Sequence, residues 1–116
     1  MNKHRAGKGL PPLVMNEAIA AEAQKHSRNM ASGKVPFGHD GFEGRSDRLL
    51  NGIKGANASA ENVASSPYDA ERVVKMWLES PRHLKNIEGS YNLTGIGIAK
   101  GTDGNLLYTQ LFINSK

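Results

Sequence analysis

The sequence predicts an α+β domain in three layers, with helices on both sides of a β-hairpin. Two segments carry helix periodicity. In residues 16–32, Ile19, Ala23, His26 and Met30 recur at offsets of four, seven and eleven. In residues 67–79, Val73, Met76 and Trp77 recur at offsets of three and four. Residues 93–113 alternate with period two on either side of Asp103-Gly104. Both faces of that hairpin are mostly apolar, which predicts a sheet covered on both sides. A chain of 116 residues suits one domain that buries roughly two-thirds of its unfolded surface.

Taken in order, Met1 to Ala6 reads as the tail of a helix closed by Gly7 and Gly9. Leu10-Pro11-Pro12-Leu13 is an extended connector, since each Pro pushes its predecessor out of the helical region. Its leucines anchor it to the core. Asn16 caps the first long helix, and Gly33 stops it. His26 lies on the buried stripe, where a histidine bonded to a neighbouring backbone group is expected. The loop from Val35 to Phe42 is pinned by Phe37 and Phe42 and presents His39 and Asp40 between them. Ser46 is expected to cap a short helix through Leu49 and Leu50, ended by Gly52. A loop then leads to Ser59.

Ala60-Glu61-Asn62-Val63-Ala64 is short and mostly apolar, yet carries a carboxylate. Burying Glu61 is costly unless it is paired or hydrogen-bonded, so it is either exposed or met by something basic or metallic. Ser66-Pro67 signals a helix start running to Trp77, and Ser80-Pro81 signals a second, short helix over residues 81–87. His83 is then the third helical residue, close to the positive end of the helix dipole, which favours its neutral form. In the first strand of the hairpin, Leu93, Gly95, Gly97 and Ala99 share a face small enough for a helix to approach closely.

The composition excludes several functions. There is no cysteine, hence no disulfide framework, thiol nucleophile or thiolate metal site. No run of about 18 apolar residues is present to span a membrane. No signal-peptide pattern occurs in the 116 residues. The net charge of +4 is scattered rather than gathered into a basic stripe, which argues against nucleic acid as a partner.

Several short motifs occur in a fixed order: Asn2-Lys3-His4-Arg5, Leu10-Pro11-Pro12-Leu13, Gly38-His39, Ala60-Glu61-Asn62-Val63-Ala64, Trp77-Leu78-Glu79-Ser80-Pro81-Arg82-His83 with Asn86-Ile87, Gly95-Ile96-Gly97, and Tyr108-Thr109-Gln110-Leu111-Phe112. Together they resemble the CAP superfamily of cysteine-rich secretory proteins, antigen 5 and pathogenesis-related proteins, also called the SCP domain. The Ser-Pro-x-His form and the lack of cysteine resemble its bacterial branch. The resemblance implies an α-β-α sandwich with a small antiparallel sheet between helical layers. It implies one domain over residues 1–116, lacking the start of its first helix and cut from a longer, exported protein. A secreted or cell-envelope location and a monomeric state are expected.

The resemblance also implies a central cleft lined by histidines and acids. His39 and Glu61 match one histidine and one glutamate of the tetrad found in eukaryotic members. The second acid of the tetrad falls at Ser80, and Glu79 stands one position early. The second histidine falls at Leu107 or Tyr108, and His83 is expected to fill that vacancy from another direction. The cleft candidates are therefore His39, Glu61 and His83, with Glu79 and Asp40 as additions.

His39, His83 and Glu61 suit three-ligand binding of a divalent metal such as zinc, with water in the open position. They suit equally a general base in which Glu61 orients one histidine, or a polar plug that holds helices to sheet. No serine lies in a recognisable nucleophile setting, and Ser80 is expected to be committed to capping. The leading expectation is an extracellular or cell-envelope binding module, with a small-molecule, lipid or cell-surface ligand. The alternative is a metal-dependent hydrolase acting on peptide or cell-wall substrates. A structural adhesion domain is third.

Overall fold

Strand β4 (Leu106–Ser115) is the centre of the molecule, buried on both faces. A computed structural model describes all 116 residues. Strands β1 (Val14–Met15), β2 (Ala56–Ser66) and β3 (Leu93–Lys100) join β4 in one sheet of order β1-β3-β4-β2. Strands β2 and β3 flank β4 antiparallel, while β1 runs parallel to β3 through Val14 and Met15 alone. The sheet is therefore mixed rather than purely antiparallel.

Alternation along β4 divides the core. Leu111 and Ile113 pack with Ile19 and Ala23 of α2 (Glu17–Ala31) and Leu49 of α3 (Phe42–Gly52), and Leu107 packs with Met30 and Val63. On the other face, Tyr108 and Phe112 pack with Val73 and Trp77 of α4 (Ala70–Leu78) and Ile87 of α5 (Pro81–Ile87). This gives the three layers expected of the sequence.

Local chemistry explains where most elements start. The Asn16 side chain accepts the Ile19 N–H at 3.1 Å, which caps α2, and Gly33 follows its end with φ +78°. Gly95 and Gly97 set the depth at which α2 sits, because a Cβ on either would collide with the backbone of Ala20 or Gln24. Helix α1 (Asn2–Gly7) is tied down by two side chains on one face. Asn2 exchanges two hydrogen bonds with the backbone of Leu13. The Arg5 guanidinium is 1% exposed and donates to the carbonyls of Pro11, Ile87, Gly89 and Tyr91 at 2.8–3.0 Å. Burial lowers its pKa from the usual arginine value, and four carbonyl dipoles replace the water it gives up.

Several local expectations fail. Helix α3 begins at Phe42, after Gly41 in the left-handed region (φ +80°), and not at Ser46. Ser46 is inside the helix, its hydroxyl 2.6 Å from that of Ser59. The stretch expected to be a loop before Ser59 is already strand β2 from Ala56. Ser66 ends that strand, and α4 is capped by Asp69, whose carboxylate accepts the Arg72 N–H at 3.0 Å. Phe37 does not anchor its loop: it is 56% exposed, while Phe42 packs against the α2–α3 core. Met76 likewise leaves the buried stripe of α4.

Trp77 is 3% exposed and donates its indole N–H to the Val63 carbonyl at 3.3 Å. Trp77→Ala should cost about 3–5 kcal/mol in chemical denaturation, the usual range for a buried Trp. Gly97→Ala should cost more than the roughly 1–3 kcal/mol of ordinary overpacking, because its new Cβ meets helix backbone rather than a movable side chain. An unchanged unfolding midpoint for Gly97→Ala would contradict the close α2–β3 packing.

Candidate functional site

Glu61 lies in the middle of β2, an edge strand of the sheet, and its side chain is 1% exposed. A carboxylate there needs a cation, and Arg45 supplies it from α3. Arg45 Nε donates to Glu61 Oε2 at 2.7 Å, and its Nη2 donates to Oε1 at 2.8 Å. This bidentate geometry is the strong form of the pair. Its remaining donors turn to the loop before α3: Nη1 to the Asp40 carbonyl at 2.8 Å and Nη2 to the His39 carbonyl at 3.4 Å. The preceding carbonyl, that of Gly38, accepts from His26 Nε2 at 2.7 Å. Three successive carbonyls of this loop are thus held from inside the protein.

The loop so held presents His39, whose side chain is 54% exposed. Its Nδ1 lies 2.9 Å from Glu61 Oε1. An ionised carboxylate only accepts, so Nδ1 carries the proton and donates it. Neutral His39 then has its lone pair on Nε2. The arrangement is a buried cation, a buried carboxylate and an exposed imidazole in series.

His83 belongs to the opposite helical layer. Its ring stacks on Trp77 with centroids 6.0 Å apart, and its Nδ1 is 2.9 Å from Ser80 Oγ. Ser80 therefore serves the imidazole and makes no side-chain cap bond to the helix backbone, contrary to expectation. The two layers are stitched across β2. Asn62 donates to the His83 carbonyl at 3.2 Å, and Asn86 donates to the Glu61 carbonyl and to Asn62 Oδ1. Burial lowers the pKa of His83, and the proximity of His39 lowers it further, against the Val63 carbonyl.

The other candidates fall outside this cluster. Asp40 is exposed and contributes its carbonyl. Glu79 is exposed at the end of α4 and lines a separate cavity with Tyr68, Arg72, Lys75 and Met76. At the positions of the second tetrad histidine, Leu107 packs in the core, and Tyr108 donates its hydroxyl to the Tyr68 carbonyl at 2.6 Å. No group of three or more His, Asp or Glu side chains is gathered closely enough to hold a metal ion. His39, Glu61 and His83 accordingly do not form the three-ligand set expected of them. Both Glu61 oxygens accept from Arg45, and one also accepts from His39.

Arg45 is the site residue that no motif marks. The signal for it is indirect, a carboxylate in an apolar segment that demands a basic partner. His26 is buried as expected, and burial lowers its pKa, partly opposed by the bond to Gly38.

Arg45→Ala strands a buried carboxylate and should cost about 3–5 kcal/mol, read by denaturant unfolding. His26 and His83 both have native pKa values below their unfolded value of 6.5. The unfolded chain therefore binds protons first, and stability, complete above pH 6.5, should fall as pH drops through the depressed native values. Replacing both by Gln should flatten that part of the stability–pH curve; an unaltered slope would contradict it.

Comparison with known proteins agrees with the fold and the motif order. The sequence profile of the CAP cysteine-rich secretory protein family matches residues 1–112. The uncharacterized protein YkwD of Bacillus subtilis is 32% identical over 114 residues, which cover 97% of this chain and 43% of that protein. An extracellular protein containing an SCP domain from Bacillus anthracis superposes with a TM-score of 0.80 at 30% identity, covering 98% of this chain and 37% of that one. An outer surface protein of Borrelia burgdorferi shares the fold, with a TM-score of 0.79 at 22% identity over 99% of this chain and 86% of that one. The chain thus spans less than half the length of the two Bacillus relatives. With the profile match over nearly its whole length, the chain belongs to the CAP (cysteine-rich secretory protein) family, in its bacterial branch.

Proposed function

We propose that this chain is an extracellular or cell-envelope binding module whose contact point is His39. One observation carries the reading: a 54% exposed imidazole is held by a carboxylate that is 1% exposed. A buried charge is costly to place, and its pairing with Arg45 offsets that cost without any need for His39. Glu61 nevertheless also fixes the tautomer of His39, the most exposed of the four imidazoles. Such an imidazole presents an oriented acceptor at Nε2, suited to a ligand hydroxyl or amide N–H. His83, across β2, forms the second wall of the cleft. The location rests on the relatives, two of which are described as an extracellular and an outer surface protein.

Metal binding is conditional in this reading. A divalent ion held by His39, Glu61 and His83 requires Glu61 to leave Arg45, which exposes a buried pair. The metal-dependent hydrolase of peptide or cell-wall substrates needs the same rearrangement. The hydrogen bond from His39 to Glu61 suits a general base acting on water. The hydroxyl of Ser80 is bonded to His83 instead.

The test is retention on isolated cell envelopes, with soluble fragments assayed in the same tubes, with and without added zinc. Wild type should be retained without releasing fragments. His39→Ala should bind roughly tenfold more weakly, about one hydrogen bond's worth. Zinc-dependent release of fragments would favour the hydrolase, and retention unaffected by His39→Ala would overturn the binding site proposed here.

A further inference from the structure

The outer edge of β3 is only partly covered by another strand. Strand β1 pairs with Leu93 and Thr94, and no strand follows on that side of residues 95–100. Even-numbered residues turn their backbone groups outward here, since the N–H groups of Val14 and Asn16 donate to the carbonyls of Asn92 and Thr94. At Ile98 a side chain takes the place of a strand. Gln24 Nε2 donates to the Ile98 carbonyl at 2.8 Å, and Gln24 Oε1 accepts the Ile98 N–H at 2.9 Å. The contact is possible because Gly97 lets the α2 backbone at Gln24 lie directly on β3. One amide that both donates to and accepts from a single residue reproduces the two bonds exchanged by directly opposed residues of antiparallel strands. Along the same edge, Val14, Met15 and Ile98 are 57%, 61% and 40% exposed, three of the six exposed large hydrophobic side chains.

We propose that Gln24 closes a β3 edge that would otherwise pair with the β3 edge of a second copy of this chain. A second copy is the fitting occupant because the edge is self-complementary. On a two-fold axis at Ile98, each N–H of that residue meets the carbonyl of its symmetry mate, and both bonds to Gln24 are replaced. Ile96 then lies opposite Lys100, so the two lysines are not opposed. Val14 and Met15 continue the apolar surface beside the pairing. Unprotected edges of this kind are a known route to association, and Gln24 removes the hydrogen-bonding pair at its midpoint.

The experiment is sedimentation velocity over a concentration series, with amide exchange at Ile98 followed by NMR. Wild type should stay monomeric. Gln24→Ala should form a dimer as concentration rises, with Ile98 exchange slowing roughly tenfold or more on association. Adding Ile98→Pro removes the outward N–H, which an edge position tolerates, and should restore the monomer. Trp77 fluorescence reports folding; should Gln24→Ala not fold, Gln24→Ser is read in the same way. A folded variant that stays monomeric at all concentrations overturns the proposal. So does a dimer that survives Ile98→Pro.

Discussion

The ion pair between Arg45 and Glu61 is the constraint on which the site depends. Glu61 is fixed on β2, where β4 lies on one side and helices on both faces, so its carboxylate has almost no access to water. A bidentate, desolvated guanidinium satisfies such a group. Arg45 can reach it because α3 starts at Phe42, one turn earlier than the Ser46 signal suggests. Once there, its other N–H groups have the carbonyls of His39 and Asp40 within reach. The pairing thereby helps to set the conformation of the loop, with His26 holding the Gly38 carbonyl beside it, and Glu61 directs the His39 ring.

A second constraint operates on the scaffold. The missing side chains of Gly95 and Gly97 let α2 lie against β3, which brings His26 to the Gly38 carbonyl and Gln24 to the strand edge. On the opposite face, Arg5 draws α1, the Pro11 connector and the turn after α5 together through backbone carbonyls. That network supports α5, which carries His83. The layers on either side of β2, one supporting the His39 loop and the other carrying His83, are thus each located by a separate device.

Much of this is legible from residue pattern. The cap at Asn16, the stripe of α2, the small face of β3 and the two-sided alternation of β4 are signals that tertiary context does not alter. Strand β2 is obscured because Ala56-Asn57-Ala58-Ser59 has weak β-propensity; its pairing with β4 decides its state. Ser46 and Ser66 mislead for a common reason. A serine hydroxyl satisfies a backbone amide or another hydroxyl equally well, so it marks a helix start only when the tertiary structure leaves it one. In the site, the pairing of His39 with Glu61 is foreseeable from the motif resemblance, which brings the two residues to one place. The partner Arg45 is not, since Arg48, one turn on, carries the same charge and pairs instead with Glu22.

The proposed binding role of the site requires that Glu61 hold His39 in one tautomer, with the proton on Nδ1 and the lone pair on Nε2. Nitrogen-15 NMR of the labelled imidazoles, recorded above the histidine pKa, measures this directly. The expected spectrum has the His39 ring protonated on Nδ1 in the wild type, reverting toward the tautomer mixture of free imidazole in Glu61→Gln. A wild-type His39 protonated on Nε2, or one indistinguishable from free imidazole, would contradict it.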